Sequence, residues 1–142
     1  MLLTRITRPS MLVVDDRPTI SFALGDYFET RGWDVVCAAN AAEAEALLGS
    51  RSFTVVIADL SLSEPGSTDG LELTRRVRQD WPNTRTIILT AYGTPEIERL
   101  ARRIGVDAFL HKPAPLVELA RVADALAERA GECSGQGREA GG

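Results

Sequence analysis

Five polar residues each follow a short apolar segment of this chain, and their side chains could do chemistry together: Asp15, Asp16, Asp59, Thr90 and Lys112. Carboxylates that lie close together repel one another, and in a partly desolvated pocket they require a compensating cation. A hard divalent ion such as Mg²⁺ (or Mn²⁺) meets this requirement, because it takes oxygen ligands and tolerates retained waters. The chemistry therefore depends on whether the folded chain brings these side chains together.

The apolar segments alternate along the sequence with segments of helical period. Apolar, partly β-branched runs bounded by turn residues predict buried strands at 11–14, 33–37, 53–58, 86–89 and 106–110. Apolar residues spaced three and four apart predict helices at 18–32, 40–49, 70–80, 94–104 and from 115 onward. This alternation indicates an α/β fold in a single domain: a (βα)5 doubly wound, five-stranded parallel sheet with right-handed crossovers and helices on both faces.

The ends of the predicted strands place the polar residues. Parallel strands point the same way, so the residues that end the first, third, fourth and fifth strands gather at the edge where open α/β sheets bind ligands. Asp59 is predicted to be a nucleophile that forms an aspartyl-phosphate. Asp15 and Asp16 are predicted to hold the metal from one side, and Asp59 with the backbone carbonyl of Ser61 from the other.

Lys112 and Thr90 complete this predicted site. Lys112 is a compact point charge suited to a phosphate, and Thr90 offers a hydroxyl donor at the same rim. Metal, lysine and hydroxyl would together spread the charge of a transferring phosphoryl group. Because a mixed anhydride of this kind is labile, such a phosphorylated state suits signalling better than structure.

Charge and composition narrow the classes of function. The net charge is −4 and the pI is near 5.0, so bulk charge gives no reason to expect direct binding to nucleic acid or to a membrane. Only two cysteines occur, which argues against a disulfide framework, and no segment approaches the length of a membrane span. We therefore expect a cytoplasmic protein with a leader at 1–9, a folded domain at 10–130 and a disordered tail or linker stub at 131–142.

The motifs at the strand ends resemble those of the response regulator receiver family of two-component signalling. The resemblance covers roughly residues 10–130 and rests on five motifs in the right order. These are Val13-Val14-Asp15-Asp16, Asp59, Asp69-Gly70-Leu71-Glu72-Leu73, Leu89-Thr90-Ala91 and Phe109-Leu110-His111-Lys112-Pro113. The resemblance implies a phospho-acceptor that receives a phosphoryl group on Asp59 from a sensor histidine kinase or a phosphotransfer protein. It implies no enzymatic activity beyond self-phosphorylation from small phosphodonors and autodephosphorylation.

The same resemblance implies roles for the residues around the acceptor. Asp15 and Asp16 would be magnesium ligands, Thr90 the switch hydroxyl and Lys112 the cation that pairs with the phosphate. Phe109 matches a switch aromatic that turns inward when the hydroxyl residue closes on the phosphate. The fourth helix, fifth strand and fifth helix would form the output face, which controls protein–protein contacts and, on phosphorylation, a homodimer.

Two features near the acceptor are particular to this chain. The loop after Asp59 is longer than the family's usual spacing and carries Glu64-Pro65-Gly66-Ser67-Thr68. Because the loop lies beside the acceptor, we expect it to alter access for kinase, phosphatase or water. Ala91 and Tyr92 follow the switch hydroxyl at a rim where the family tunes the lifetime of the phosphoryl group, so we expect both positions to be modulating ones.

Two other classes of function are alternatives. A magnesium-dependent phosphohydrolase could use Asp59 or Asp15 as nucleophile through an aspartyl-phosphate. Such enzymes need an acid/base carboxylate two residues later, where this chain has Ser61 and Arg17, and a cap over the substrate. A flavin-binding, flavodoxin-like module needs a phosphate-cradling Ser/Thr/Gly run after the first strand, whereas residues 15–18 are acidic and lack one.

The output of such a switch is open at the level of sequence. No helix-turn-helix, catalytic domain or basic stripe follows the fifth predicted helix. Two arrangements are compatible with the chain. It is either a stand-alone receiver that acts by docking or as a relay intermediate, or the receiver part of something longer.

Overall fold

The described part of the chain folds into five strands that alternate with five helices. The computed structural model describes residues 8–62 and 67–141, and side chains within these ranges up to Arg129. The strands are β1 (Ser10–Val14), β2 (Asp34–Ala38), β3 (Val55–Ala58), β4 (Arg85–Thr90) and β5 (Ala108–His111). The helices are α1 (Pro18–Thr30), α2 (Ala41–Ser50), α3 (Asp69–Asp80), α4 (Pro95–Ile104) and α5 (Leu116–Gly141). None of the described helices is both long and apolar enough to cross a membrane.

The strands form one parallel sheet in the order β2-β1-β3-β4-β5. β1, β3 and β4 lie in the interior of the sheet, and every position of β3 is buried. A strand that is covered on both faces needs apolar side chains on both, which explains the uninterrupted apolar run before Asp59. The predicted (βα)5 doubly wound parallel sheet is confirmed.

The two faces of the sheet carry separate hydrophobic cores. Successive side chains of a strand point to opposite faces, so the four apolar residues that end β1 divide between them. Met11 and Val13 pack with side chains of α1 and α5, whereas Leu12 and Val14 pack with side chains of α2 and α3. Burying an aliphatic side chain contributes about 1.5–3 kcal/mol. Packing on both faces therefore fixes the strand ends from which the polar residues project.

Local capping sets where the helices next to the site begin. Pro18 occupies the first turn of α1, where its missing N–H costs no hydrogen bond. Thr94 caps α4, because its Oγ1 accepts a hydrogen bond from Ile97 N at 3.1 Å. Gly105 ends α4 with a left-handed φ of 111°. Both helices therefore begin a few residues after a strand that carries a site residue.

Some boundaries differ from those that the sequence predicts. β3 begins at Val55 rather than at 53, and β5 begins at Ala108 rather than at 106. α5 continues to Gly141, through the residues for which composition predicts a disordered tail or linker stub. Helix propagation adds one backbone hydrogen bond for each residue fixed, so a helix packed along its first turns can extend past the core. The division into leader, domain and tail stays a prediction, and residues 1–7 of the leader lie outside the described residues.

Candidate functional site

Three carboxylates converge at the carboxyl edge of the sheet. Asp15 follows β1 and Asp59 follows β3, and the ladder between these strands continues through a hydrogen bond from Asp59 N to Val14 O at 3.0 Å. Side-chain oxygens of these two residues and of Asp16 all lie within 4.8 Å of one another. Asp15 and Asp59 are 5% and 6% exposed, whereas Asp16 faces solvent. Two of the three charges are therefore largely withdrawn from water.

Lys112 supplies the cation of this cluster. Its Nζ donates hydrogen bonds to Asp15 Oδ2 at 3.1 Å and to Asp59 Oδ2 at 3.3 Å. The backbone N–H of Lys112 bonds to Thr90 O at 2.8 Å, and the peptide bond to Pro113 is cis. Only 15% of the Lys112 side chain is exposed, so water screens these two ion pairs weakly. Lys112 thus bridges the two buried carboxylates.

The donor set of the cluster fits a hard divalent cation. One ammonium offsets only one of three negative charges, so the pocket keeps an excess of negative charge where desolvation makes it costly. Within the described ranges, Asp16 has neither a hydrogen bond nor an ion pair, which leaves its oxygens available. All the candidate ligand atoms are oxygens, the donors that Mg²⁺ takes. Asp15, Asp16 and Asp59 are therefore the residues that could hold a metal.

Ser61 lies buried just after the predicted acceptor. Its backbone N–H points to Asp59 Oδ1 at 3.4 Å, and its hydroxyl donates to the carbonyl oxygen of Ser67 at 2.8 Å. The side chain is therefore engaged by the loop rather than by the carboxylates. Of the longer loop that the sequence singles out, Glu64-Pro65-Gly66 lies outside the described residues.

Thr90, Ala91 and Tyr92 form the rim of the site on the β4 side. Thr90 is fully buried, and its Oγ1 accepts a hydrogen bond from Tyr92 N at 3.1 Å. A hydroxyl that accepts can still donate its own hydrogen, so Thr90 retains a donor. Ala91 is exposed, and the Tyr92 side chain keeps 43% of its surface in solvent. The two predicted modulating positions therefore lie at the accessible side of this rim.

Phe109 lies in β5 and is buried, with 5% of its surface exposed. It belongs to an apolar cluster with Leu60, Leu71, Ile88, Ala101 and Val106. Its ring meets the His111 ring edge-on, with the centroids 5.4 Å apart. Gly93 passes so close that a Cβ at that position would lie 2.7 Å from a carbon of the Phe109 ring. The aromatic side chain is thus turned inward and held in a close-fitting site.

Asp69 is a polar residue of this region that the sequence marks only as part of a motif. Its Oδ1 accepts hydrogen bonds from Leu62 N at 2.9 Å and from Ser67 Oγ at 2.6 Å. A signal is present in the sequence, because Ser67 and Asp69 stand two residues apart just before a predicted helix, and side chains of these types bond to nearby groups. What the sequence lacks is any indication that Leu62, on the other side of the loop, is the partner.

The fold and the site together define a class of protein. A parallel sheet in the order β2-β1-β3-β4-β5 with clustered carboxylates, a bridging lysine and a buried threonine at its carboxyl edge is the arrangement of a receiver domain. The sequence also matches the family described as response regulator receiver domain over residues 11–124. The chain belongs to this family of two-component signalling switches, as the motifs indicated.

Relatives known by sequence include longer regulators. The chain is 38% identical over 127 residues to the transcriptional regulatory protein AruR of Pseudomonas aeruginosa, covering 85% of this chain and 50% of that protein. It is 36% identical over 120 residues to an uncharacterized 14.6 kDa protein of Leptolyngbya boryana, covering 82% and 88% respectively. The chain spans about half the length of the transcriptional regulators it matches.

Solved structures of receiver domains are similar to most of this chain. A CheY-like receiver domain from Methanospirillum hungatei has a TM-score of 0.82 and 25% identity, covering 89% of this chain and 98% of that one. The receiver domain of Francisella response regulator 1452 has a TM-score of 0.76 and 30% identity, covering 85% and 98%. A response regulator from Burkholderia pseudomallei, solved with a phosphorylated aspartic acid, a calcium ion and citrate, has a TM-score of 0.73 and 30% identity, covering 87% and 74%.

Proposed function

We propose that this chain is a phospho-acceptor switch of a two-component system or phosphorelay, which accepts a phosphoryl group on Asp59 from a sensor histidine kinase or a phosphotransfer protein. The observation that carries the proposal is the Lys112 ammonium that bridges Asp15 and Asp59, with Asp16 in the same cluster. Such an arrangement holds a cation beside the carboxylate that would receive the negatively charged phosphoryl group. The phosphorylated aspartic acid of the Burkholderia relative supports the proposal.

In the proposed reaction, an oxygen of the Asp59 carboxylate attacks the phosphorus of a phosphohistidine. A P–O bond forms as the P–N bond breaks, and the electron pair of the broken bond stays on the imidazole nitrogen. The imidazole leaves neutral when its other nitrogen carries a proton. Acetyl phosphate can serve in the same way, with acetate as the leaving group. Attack of water on phosphorus later restores the Asp59 carboxylate and releases inorganic phosphate.

The residues around Asp59 have distinct roles in this proposal. A bound Mg²⁺ or Mn²⁺ would supply positive charge to the phosphoryl oxygens. Its ligands would be Asp15, Asp16, Asp59 and the Ser61 carbonyl. Lys112 exchanges its hydrogen bond to Asp59 for one to a phosphoryl oxygen, and Thr90 donates its hydroxyl hydrogen to another. The Thr90 hydroxyl accepts a hydrogen bond from Tyr92 N in this structure, so a movement of the hydroxyl toward the phosphoryl group would also shift the backbone of the loop before α4.

The proposed output face consists of α4, β5 and α5. Leu100, Leu116 and Val117 leave 41%, 38% and 60% of their surfaces exposed on its two helices. Phe109 is the proposed link from the acceptor pocket to this face, which would bind a downstream protein or a second copy of the chain. Size-exclusion chromatography with and without a beryllofluoride mimic tests the homodimer: we expect a larger species with the mimic, and an unchanged elution volume would contradict dimerisation.

Intact-mass measurement after incubation with acetyl phosphate and Mg²⁺ tests the acceptor. We expect one phosphoryl adduct on the wild-type chain and none on Asp59→Asn, because the amide is not a nucleophile of comparable strength. Chelation of the metal should remove the adduct from the wild-type chain. No adduct on the wild type, or an undiminished one on Asp59→Asn, would contradict the assignment of Asp59.

The lifetime of the aspartyl-phosphate is the quantity that Tyr92 and the longer loop are proposed to modulate. The exposed Tyr92 ring stands at the rim through which water would approach, so Tyr92→Ala should change the half-life of the phosphorylated state. Shortening the loop after Asp59 should change it as well. Half-lives from the decay of the phosphoryl adduct, unchanged in both variants, would show that neither feature acts on the site.

A magnesium-dependent phosphohydrolase is not favoured as an alternative. Its acid/base group would stand at position 61, where the hydroxyl of Ser61 instead donates to the carbonyl oxygen of Ser67. The proposed switch meets its kinase in the cytoplasm and acts by contact with proteins, without direct binding to nucleic acid or membrane. A net charge of −4 is consistent with such partners.

A further inference from the structure

The loop between Asp59 and α3 has two described limbs, and side chains tie one limb to the other. On the departing limb, the Ser61 hydroxyl donates to the carbonyl oxygen of Ser67 at 2.8 Å. Asp69 then accepts from both limbs through one oxygen, from Leu62 N at 2.9 Å and from Ser67 Oγ at 2.6 Å. The three bonds form one connected group, which we call the loop clasp: Ser61, Leu62, Ser67 and Asp69.

The loop clasp is anchored directly against the backbone of the acceptor. Gly70, the residue after Asp69, donates its N–H to the carbonyl oxygen of Leu60 at 2.8 Å. A Cβ at position 70 would collide with the carbonyl oxygen of Asp59, so α3 begins as close to the acceptor as a glycine allows. The Asp69 carboxylate therefore holds a fixed position relative to Asp59, and Leu62 N is bonded to that fixed point.

We propose that Asp69 is a positioning residue of the acceptor pocket, whose carboxylate closes the loop clasp and thereby fixes the backbone of Ser61. The inference rests on the proposed function, in which the Ser61 carbonyl is a metal ligand. Hydrogen bonds to an ionised carboxylate are roughly twice as strong as neutral ones, and two donors meet here on one oxygen. Because the clasp joins the chain at Leu62 and Ser67, the length of the loop between these anchors does not set the position of Ser61.

Calorimetric titration of the unphosphorylated chain with Mg²⁺ tests this role without relying on phosphorylation. Asp69→Ala should weaken Mg²⁺ binding about 10-fold, the lower end of what loss of a residue that orients a metal ligand costs. Asp69→Asn, which keeps an oxygen acceptor, should recover most of the affinity. Asp80→Ala, at the opposite and exposed end of α3, is the matched control and should bind Mg²⁺ as the wild type does.

Ser67→Ala separates the loop clasp from the start of the helix. Asp69 is also an acidic residue in the first turn of α3, so its loss weakens that helix end as well as the clasp. Ser67 lies outside the helix, and removing its hydroxyl should still weaken Mg²⁺ binding, by less than Asp69→Ala. If Asp69→Ala does not fold, Ser67→Ala decides the question. Unchanged Mg²⁺ affinity in Ser67→Ala, and in Asp69→Ala where that variant folds, would overturn the positioning role.

The positioning role and the proposed function fail in distinguishable ways. A wild-type chain that forms the acetyl phosphate adduct, together with clasp variants of wild-type Mg²⁺ affinity, would overturn the role of Asp69 alone. A wild-type chain that binds Mg²⁺ but forms no adduct would overturn Asp59 as acceptor, while the Mg²⁺ titrations would still decide whether the clasp positions Ser61. A wild-type chain that binds no Mg²⁺ would overturn the role of Asp69 directly.

Discussion

Lys112 is the only lysine in the chain, and apart from the single histidine every other basic residue is an arginine. Most of the arginine ion pairs lie at the surface, as in Arg31–Asp124 and Arg51–Asp34. The pair of Arg85 with Asp107 is largely buried. A guanidinium is a broad planar group, whereas a compact ammonium can sit between the carboxylate oxygens of two residues that follow different strands. The one position with a lysine is thus the one where a point charge must serve Asp15 and Asp59 together.

Replacing Lys112 with Met should therefore destabilise the metal-free protein markedly. Removing one partner of a buried ion pair leaves an uncompensated charge and costs about 3 kcal/mol. The free energy of unfolding from urea titration measures this loss, which should shrink when Mg²⁺ is added, because a bound cation would offset the same carboxylates. Lys112→Arg, which keeps the charge, is the control and should lose less. Equal stability of wild type and Lys112→Met in metal-free buffer would contradict the bridging role.

How far the site could be predicted from sequence differs from residue to residue. Asp15, Asp59 and Lys112 could be placed at one edge, because the common direction of parallel strands brings their ends together whatever the side-chain details. That Lys112 bonds to both carboxylates, and that Asp69 bonds to Leu62, depends on side-chain distances across the loop. Such distances are set by packing and leave no pattern in the sequence.

At the scale of elements, the sequence predicts that a strand exists, but long-range contacts determine where it begins. The apolar run predicts β5 from 106, yet the strand begins at Ala108. The Asp107 carboxylate accepts a hydrogen bond from Thr86 N at 2.8 Å, while Asp107 N donates to Thr86 O at 3.0 Å. A side chain thus takes the place of a strand partner at this point. The hydrophobic pattern locates a strand, but the groups that form hydrogen bonds at its first residue come from a distant part of the chain.

The end of α4 offers a test of backbone conformation as the stabilising factor. Gly105 has a φ of 111°, which L side chains rarely adopt, and a Cβ there would lie 2.8 Å from Arg78 Nε. Gly105→Ala should lower the free energy of unfolding by about 1–2 kcal/mol. Gly49→Ala is the control, because Gly49 lies in α2 with open space around a Cβ, and it should raise stability by about 0.5 kcal/mol. Similar effects of the two substitutions in urea unfolding would contradict this explanation.

Glu98 links α4 to β5 and gives this element a pH dependence. The pKa of Glu98 is held below its usual value. The larger cause is a hydrogen bond from Arg102 at 2.8 Å, and the nearby His111 makes a smaller contribution. Because the folded-state pKa is the lower one, the stabilisation is present above the unfolded-state pKa and is lost as pH falls through the folded-state value.

Glu98→Gln should therefore lower the melting temperature at pH 7, and this difference should disappear as pH falls through the lowered pKa of Glu98. The difference in melting temperature between the variant and the wild type, followed from pH 7 downward, measures this. Glu96→Gln on the same helix is the matched control. The Glu96 carboxylate lies 4.0 Å from Arg99, a longer and more exposed contact than that of Glu98 with Arg102, so its loss should change the melting temperature less. A difference between wild type and Glu98→Gln that persisted unchanged at low pH would show that the ion pairs are not its cause.

At the scale of the whole molecule, packing and charge meet at one edge of the sheet. Both cores converge on the central strands, whose positions are almost all buried, and these strands end in the carboxylate cluster. Stability gained from apolar burial thus fixes in place a group of like charges that lowers stability. A cation that binds only the folded cluster must then stabilise the entire domain by mass action.

Mg²⁺ should raise the melting temperature of the whole domain through this cluster. A concentration ten times the dissociation constant adds about 1.4 kcal/mol to the free energy of unfolding, which corresponds to roughly 5 °C for a chain of this length. Asp16→Asn should abolish the shift while slightly raising the metal-free melting temperature, because Asp16 adds charge to the cluster without bonding to Lys112.

Asp26→Asn, an exposed carboxylate on α1 away from the cluster, should keep the full Mg²⁺ response and serves as the control at matched ionic strength. Asp16→Asn is expected to have a higher melting temperature than the wild type without metal and to show no shift when Mg²⁺ is added. General charge screening would instead stabilise the wild type and both variants alike. The two explanations can therefore be separated. A melting temperature of the wild type that does not move with Mg²⁺, or an Asp16→Asn chain that keeps the whole shift, would place the ion elsewhere.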